Sequence, residues 1–369
     1  MNKKHLIIQA NSAGELSTWV HPICTSVAEI SPQTIIDIYL FPCQYATGNE
    51  LEIAKGYPNV RHVSAPSDSM KTALKPGRLD TVFSSGAVLY LGGDPFYTKR
   101  LAKRTGYDAY AYAERPLPGK FKNVFLRKDG DLMISKITQY TPPSPEEFQD
   151  TYKIDPTKPY CAFMAGSRAQ HFEGLIPLYH EAVTHIHKTH PDFQAIVSIS
   201  PFLDQSMEKR ITTKYAQSPL NFIKAYSPLD LISHAQMAVT IPGTNTAECM
   251  YMGTPMVMTL PLNSPKTFPF DGLLGLLSKL PIVGILIKKL LIQIAIKTRP
   301  YFSLPNILAK EQIVPELIGK LSGEEIANFI MRTFNNRDSL RQQKKHFKTL
   351  IPEQDPATII VKTILEIIK

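Results

Sequence analysis

Residues 238–258 read Ala-Val-Thr-Ile-Pro-Gly-Thr-Asn-Thr-Ala-Glu-Cys-Met-Tyr-Met-Gly-Thr-Pro-Met-Val-Met. An apolar run ends at Pro242-Gly243-Thr244, a helical segment carrying Glu248 follows, and Gly253-Thr254-Pro255 turns into a second apolar run. A strand that stops at a glycine beside a helix start presents unpaired N–H groups and the positive end of the helix dipole, which together suit a phosphate. Gly243, Thr244, Asn245 and Thr246 are therefore candidate donors to a nucleotide diphosphate, and Glu248, one turn into the helix, is a candidate partner for ribose hydroxyls. A single turn of this kind often serves only as a helix cap, so other stretches must support it. Phe163-Met164-Ala165-Gly166-Ser167-Arg168 ends another apolar run in a Gly-Ser turn with an arginine. The planar fork of Arg168 would hold a diphosphate in bidentate fashion and stabilise it as a leaving group, with Gly166 and Ser167 adding donors. Two carboxylates stand at the ends of earlier apolar runs, Glu15 in Ala10-Asn11-Ser12-Ala13-Gly14-Glu15 and Asp94 in Leu91-Gly92-Gly93-Asp94-Pro95. Each could take a proton from a reacting hydroxyl or could simply cap a helix or turn. Finally, Ser303-Leu304-Pro305-Asn306 leads into Ile313-Val314-Pro315-Glu316-Leu317, where Ser303 could cap a helix and the Asn306 amide could reach a nucleotide or sugar.

Short apolar runs at 5–10, 35–41, 60–63, 87–91, 108–112, 132–135, 160–165, 195–199, 221–224, 238–241 and 255–260 read as strands, with helix-length segments such as 175–188 and 208–215 between them. That alternation predicts parallel sheets with covering helices, hence an α/β chain of two Rossmann-like domains facing an inter-domain cleft. A polar, proline-rich stretch from Tyr140 to Pro159 is the boundary candidate, being the kind of segment in which domains separate. The reading is a first domain at 1–150, a second at 151–345, and a C-terminal helix at 346–369 that returns to the first domain or to a partner subunit.

The 369 residues carry 43% apolar and 20% charged side chains, so the chain is globular, and its net charge of +9 calls for an anionic partner. Without zinc-finger spacing, an RNA-binding aromatic motif or a basic arm, nucleic acid is not expected as that partner. Cys24, Cys43, Cys161 and Cys249 are scattered in or beside apolar runs and read as reduced, core-filling thiols. His21, His171, His180, His185, His187 and His190 invite a metal reading, but His187 and His190 sit at a helix end where imidazole suits the negative dipole, and no metal site is assigned. The N-terminal apolar run is too short for a signal peptide and reads as a first strand. Segment 268–299 differs from the rest. Between Leu273 and Arg299 it has five basic residues and no acidic one, and in a helix Lys288, Lys289, Gln293 and Lys297 share one half of the wheel. Two central lysines would cost a spanning helix about 5–7 kcal/mol, so the composition predicts an amphipathic helix lying on an anionic membrane surface. The alternative is a hairpin buried in its own core or in a homodimer interface.

Taken together, Ala13-Gly14-Glu15, Ala165-Gly166-Ser167-Arg168, Gly243-Thr244 with Glu248-Cys249-Met250, Pro255-Met256-Val257, and Ser303-Leu304-Pro305-Asn306 followed by Ile313-Val314-Pro315-Glu316-Leu317 resemble the lipid-A-disaccharide synthase family of GT-B glycosyltransferases. The order and spacing of these pieces cover most of the chain, and Ser-Leu-Pro-Asn is the most specific. The resemblance implies inverting, metal-independent transfer of an acylated glucosamine from a UDP carrier to a lipid-linked acceptor, with no cofactor because the UDP-sugar is a substrate. It also implies a cytoplasmic enzyme held peripherally at the inner membrane. Asp94 aligns with the family's Gly-Ile-Asp carboxylate, which makes it the expected base, with Glu15 second. Two departures fall in the acceptor half. The family's Ala-Ser-Gly-Asp after Ala-Gly-Glu is replaced by Leu16-Ser17-Thr18-Trp19-Val20, and its Ser-Pro-Ser-Val-Trp-Ala-Trp by Tyr110-Ala111-Tyr112-Ala113-Glu114-Arg115-Pro116. They leave room for a paralogue with another acceptor, a UDP-sugar epimerase of the same architecture, or a non-catalytic membrane-associated scaffold.

Overall fold

The computed structural model describes the chain except residues 1–3, 44–45, 47, 80, 156–157, 167–168, 201–202, 226, 264–297, 352–354 and 369. The amphipathic segment expected at 268–299 lies almost wholly outside the described residues. The chain forms two units, Met1–Thr141 with Pro352–Lys369, and Pro142–Ile351.

In the first unit, β1 (His5–Ala10), β2 (Ile35–Leu40), β3 (Val60–Ser64), β4 (Gly86–Tyr90), β5 (Asp108–Ala113) and β6 (Asn123–Leu126) form one sheet in the order 3-2-1-4-5-6. All of its pairings are parallel. β1 is buried along its whole length, as expected of a central strand covered on both faces. The helices of this unit are α1 (Ala13–Glu15), which runs through a π-helical turn at Leu16–Val20 into α2 (His21–Ile30), then α3 (Glu50–Lys55), α4 (Pro66–Leu74), α5 (Pro95–Thr105) and α6 (Leu132–Thr138). The expected strand at 132–135 is instead the start of α6. Three apolar residues and a serine carry no period by themselves, and the Asp131 side chain accepts the Met133 N–H as an N-cap that starts the helix.

In the second unit, α7 (Pro145–Tyr152) is followed by β7 (Tyr160–Phe163), α8 (Ala169–His187), β8 (Gln194–Ser198), α9 (Gln205–Lys214), β9 (Leu220–Ile223), α10 (Pro228–His234), β10 (Met237–Thr240), α11 (Thr244–Met252) and β11 (Met256–Pro261). After the segment outside the description come α12 (Leu304–Ala309), β12 (Glu316–Gly319), α13 (Gly323–Phe334) and α14 (Arg337–Leu350). The sheet order is β12-β11-β10-β7-β8-β9, again wholly parallel. The last helix, α15 (Pro356–Ile367), belongs to the first unit and packs on α2 and α6. It buries Ile360, Val361, Ile364 and Leu365, each worth about 1.5–3 kcal/mol. The Ala357 N–H is fixed by Ser135 Oγ at 2.9 Å.

A polar cluster with His5 and Asp37 buried and Arg61 exposed ties the N-terminal ends of the first sheet together. His5 Nε2 lies 3.0 Å from Asp37 Oδ2, and Arg61 Nε donates to Asp37 Oδ1 at 3.0 Å. Burial by itself would raise the Asp37 carboxyl, but the hydrogen bonds from His5 and Arg61 outweigh it and hold the group below its ordinary value. A carboxylate depressed by folding contributes stability above its unfolded pKa of about 3.9, and loses it as pH falls through the lower folded value. Thermal melts of the wild type should therefore fall off below about pH 4, and Asp37→Asn should be less stable at neutral pH with a shallower acid limb. An unchanged acid limb in the variant would remove the cluster from the acid transition.

Candidate functional site

The two strand orders are the same order read in opposite directions, and each reverses at one place: between β1 and β4 in the first unit, between β7 and β10 in the second. The loops leaving those strand pairs at their C-terminal ends form the crevice where doubly wound sheets take ligands. Glu15, Asp94, Gly166 and the Gly243–Thr246 turn with Glu248 follow these four strand ends, whereas Asn306 lies in α12.

In the second unit the chain leaves β7 through Met164-Ala165-Gly166 and leaves β10 through Ile241-Pro242-Gly243. Gly166 has φ +84° and is hemmed in, since a Cβ there would lie 3.1 Å from Ile241 Cδ1 and 3.3 Å from His171 Nδ1. Asn245 Nδ2 crosses between the two turns to Met164 O at 3.4 Å. Gly243, with φ +134°, stands at the N-cap of α11, and a Cβ there would meet nothing within 4 Å. Gly243 and Thr244 are exposed, so the first N–H groups of α11 face open space, as an anion site requires. Thr246 is directed inward: its Oγ1 donates to Gly243 O at 2.8 Å and accepts the Leu304 N–H at 3.1 Å. Glu248 is 4% exposed. Burial pushes the neighbouring Cys249 thiol well up, and the Glu248 charge adds to the effect. Ser167 and Arg168 lie outside the described residues.

Asn306 has a different job from the one expected of it. It is fully buried; Nδ2 donates to Val314 O and Glu316 Oε1, both at 2.8 Å, and Oδ1 accepts the Ile313 and Val314 N–H groups at 2.8 and 2.7 Å. Its amide is thus taken up within the loop and is not turned toward a nucleotide. Glu316 is the hub, because Oε1 also accepts from the Ser303 N–H at 2.9 Å and Ser303 Oγ at 2.7 Å, while Phe302 N–H meets Oε2 at 3.1 Å. Ser303 occupies the N-cap position of α12 without making a side-chain cap. The Ser-Leu-Pro-Asn stretch and the Pro-Glu stretch therefore lock each other. Through Leu304 and Thr246 they brace the Gly243 turn. Neither the hub role of Glu316 nor this brace was legible in the sequence, where both stretches show only as neighbouring short motifs.

In the first unit, Ser12 and Glu15 form a capping box: Glu15 Oε2 accepts the Asn11 and Ser12 N–H groups at 3.1 and 3.2 Å, and Ser12 Oγ accepts the Glu15 N–H at 3.3 Å. A Cβ on Gly92 would fall 2.0 Å from Glu15 Oε2, so glycine leaves room for the Glu15 carboxylate in its capping position. Asp94 caps α5, with Oδ1 accepting the Phe96 N–H at 2.9 Å, and the residue is exposed. Burial, then the charges of Glu15 and Asp94, push the Tyr90 hydroxyl up to about 12, so the structure brings both carboxylates into one electrostatic neighbourhood. Gln9, unnoticed in the sequence, fixes the turn between them. Its buried Nε2 donates to Gly92 O and Asp94 O, both at 2.9 Å, and Thr98 Oγ1 donates to its Oε1. A lone glutamine in an apolar strand gives no hint of that role.

The two departures from the family pattern meet. Leu16–Val20 is the π-helical turn, with Thr18 Oγ1 donating to Gly14 O at 2.7 Å, and the Trp19 ring stands edge-on to Tyr112 at 5.3 Å. The two departing stretches are therefore neighbours in the fold. The chain also contains one Asp-x-Asp, Asp129-Gly130-Asp131, a pattern that elsewhere bridges metal and diphosphate. Here Asp131 is 8% exposed and held by the α6 cap and by Arg127. Among the described residues no cluster of three or more His, Cys, Asp or Glu could hold a metal ion, and no helix is long and apolar enough to cross a membrane.

Two parallel α/β units with matched strand order, each carrying its candidate residues at the switch point, define a chain of GT-B architecture. Part of the chain is similar to the lipid-A-disaccharide synthases: the family model described as lipid-A-disaccharide synthetase matches residues 129–270. The lipid-A-disaccharide synthase of Acinetobacter baylyi is 28% identical over 233 residues, 59% of this chain and 53% of that protein. The Haemophilus ducreyi protein of the same name is 27% identical over 234 residues, 62% of this chain and 53% of its own length. The chain thus aligns with about half the length of these curated relatives. Among solved structures, UDP-GlcNAc 2-epimerase from Neisseria meningitidis superposes with TM-score 0.57 at 12% identity, covering 98% of this chain and 100% of that one. A glycosyltransferase from Rickettsia africae does so with TM-score 0.50 at 12% identity, covering 100% and 98%. These likenesses are of fold.

Proposed function

We propose that this protein is a glycosyltransferase that takes an acylated glucosamine, or a related sugar, from a UDP carrier and delivers it with inversion to a lipid-linked acceptor, without a metal. One observation carries the reading: the two glycine turns that flank the β7–β10 switch point, at Gly166 and Gly243, both lie inside the 129–270 region that matches the lipid-A-disaccharide synthetase family. The open N-terminus of α11 and Arg168 hold the diphosphate, and Glu248 serves the ribose. The acceptor hydroxyl attacks the anomeric carbon, its proton passes to Asp94, and the C–O bond to UDP breaks with the negative charge met by Arg168 and the α11 N–H groups. Glu15 shapes the loop that presents Asp94. The departing stretches 16–20 and 110–116, which touch through Trp19 and Tyr112, lie in the acceptor half and support an acceptor that differs from that of the relatives.

The reading is tested by following UDP release from a UDP-linked acylated glucosamine with and without an acylated glucosamine 1-phosphate. Acceptor-dependent release is expected. Conversion of the donor without any acceptor would make the protein an epimerase and overturn the transfer reading. The same proposal puts segment 268–299 on an anionic membrane surface. Lys288→Glu with Lys289→Glu should then weaken binding to anionic vesicles by about 1 kcal/mol per removed charge or more. Equal vesicle binding by wild type and variant would assign the segment to an internal or subunit contact instead.

A further inference from the structure

At the other end of the first sheet from Glu15 and Asp94 lies a concavity of about 460 Å³, within the range of small-ligand sites. It is formed by the last turns of α5 and by the loops entering β5 and β6, that is, at the N-terminal ends of the strands. A six-residue strand separates it from the candidate site by about 20 Å.

Four lysines line it, Lys99, Lys103, Lys120 and Lys122, against one carboxylate residue, Asp108. That carboxylate is already paired with Lys122 at 2.8 Å. Lys103 and Lys120 are exposed and have no ion pair among the described residues. Lys99 is held in place: its Nζ donates to Pro118 O and stands 5.4 Å from the centroid of the Phe121 ring. Nζ passes close over Gly119, which has φ +92°. The floor is apolar, made of Ala102, Ala109 and the half-buried Phe121, which packs on the core beneath. Favourable interaction with the negative end of α5 accounts for Lys103, in its last turn. It does not account for Lys120 and Lys122, which come from a separate loop and raise the like-charge repulsion.

We propose that this concavity is a second anion site, which takes a phosphate group carried on a partly apolar ligand. The phosphate meets Lys103 and Lys120, and the ligand's apolar part covers the Phe121 floor. Two sources supply that chemistry, the phosphate of an anionic lipid headgroup or a soluble phosphorylated compound. The site does not depend on the proposed transferase activity.

The test uses the full chain, the variant Lys103→Glu with Lys120→Glu, and a control with the same change in net charge at exposed positions of α9, Lys209→Glu with Lys214→Glu. Inorganic pyrophosphate is titrated calorimetrically with excess UDP present, so that any diphosphate site at the Gly243 turn is filled. In parallel, each protein is sedimented with phosphatidylglycerol–phosphatidylcholine vesicles. A loss of pyrophosphate affinity of about tenfold or more in the pocket variant, but not in the control, supports the site with a soluble ligand. The same selective loss on vesicles alone supports a lipid headgroup. If pocket variant and control behave alike with both probes, the lysines form only a solvated basic surface and the proposal is overturned.

Discussion

Replacing Glu316 by alanine should destabilise the second unit by about 3–5 kcal/mol, a loss far above that of an ordinary half-buried glutamate. The carboxylate accepts from Phe302 N–H, Ser303 N–H, Ser303 Oγ and Asn306 Nδ2; with it gone, Ser303 and Asn306 remain buried with donors unanswered. Glu316→Gln keeps one acceptor oxygen and should cost about half as much or less. Asn306→Ala strands the Ile313 and Val314 N–H groups, and the Glu316/Asn306 double variant should cost clearly less than the sum, because both singles break the same lock. Urea unfolding followed through the second unit's transition measures all of these. The Gly243 turn is braced through Leu304 N–H and Thr246, so UDP affinity should fall with stability in Glu316→Ala and largely survive in Glu316→Gln. A Glu316→Ala protein within 1 kcal/mol of wild type would refute the brace, since two buried donors cannot be abandoned so cheaply.

The second large effect is on turnover. Asp94→Asn should lower kcat by about 10²–10⁴-fold, the range of a lost general base, with UDP affinity kept within a few-fold. The substitution is clean because of where Asp94 sits: it caps α5 through the Phe96 N–H, and asparagine caps as well as aspartate. Asp94→Ala should lose turnover equally and about 1 kcal/mol of stability besides. Normal turnover in Asp94→Asn would take the residue out of the chemistry and leave it as a cap.

The fold was largely legible because ten of the expected strands are short, apolar and regularly interrupted, and burial on both faces of a parallel sheet gives that signal. What misled is local. Leu132-Met133-Ile134-Ser135 has no period, and a single capping bond from Asp131 makes it a helix. The edge strands Asn123–Leu126 and Glu316–Gly319 are only partly buried and offer only the short apolar runs 124–126 and 317–318 to read. For the site, glycine at a strand end is a local signal, so the Gly166 and Gly243 turns were visible. The roles of Gln9, Asn306 and Glu316 depend on bonds between residues brought together only by folding, so residue type could name them but not assign their work.

Calorimetric titration of UDP into the wild type and into Arg168→Ala tests the central claim most directly. Binding in the micromolar range that weakens strongly in the variant is the predicted result. A folded wild type that takes up no UDP would contradict the assignment of the Gly166 and Gly243 turns to a nucleotide diphosphate, and with it the transferase reading.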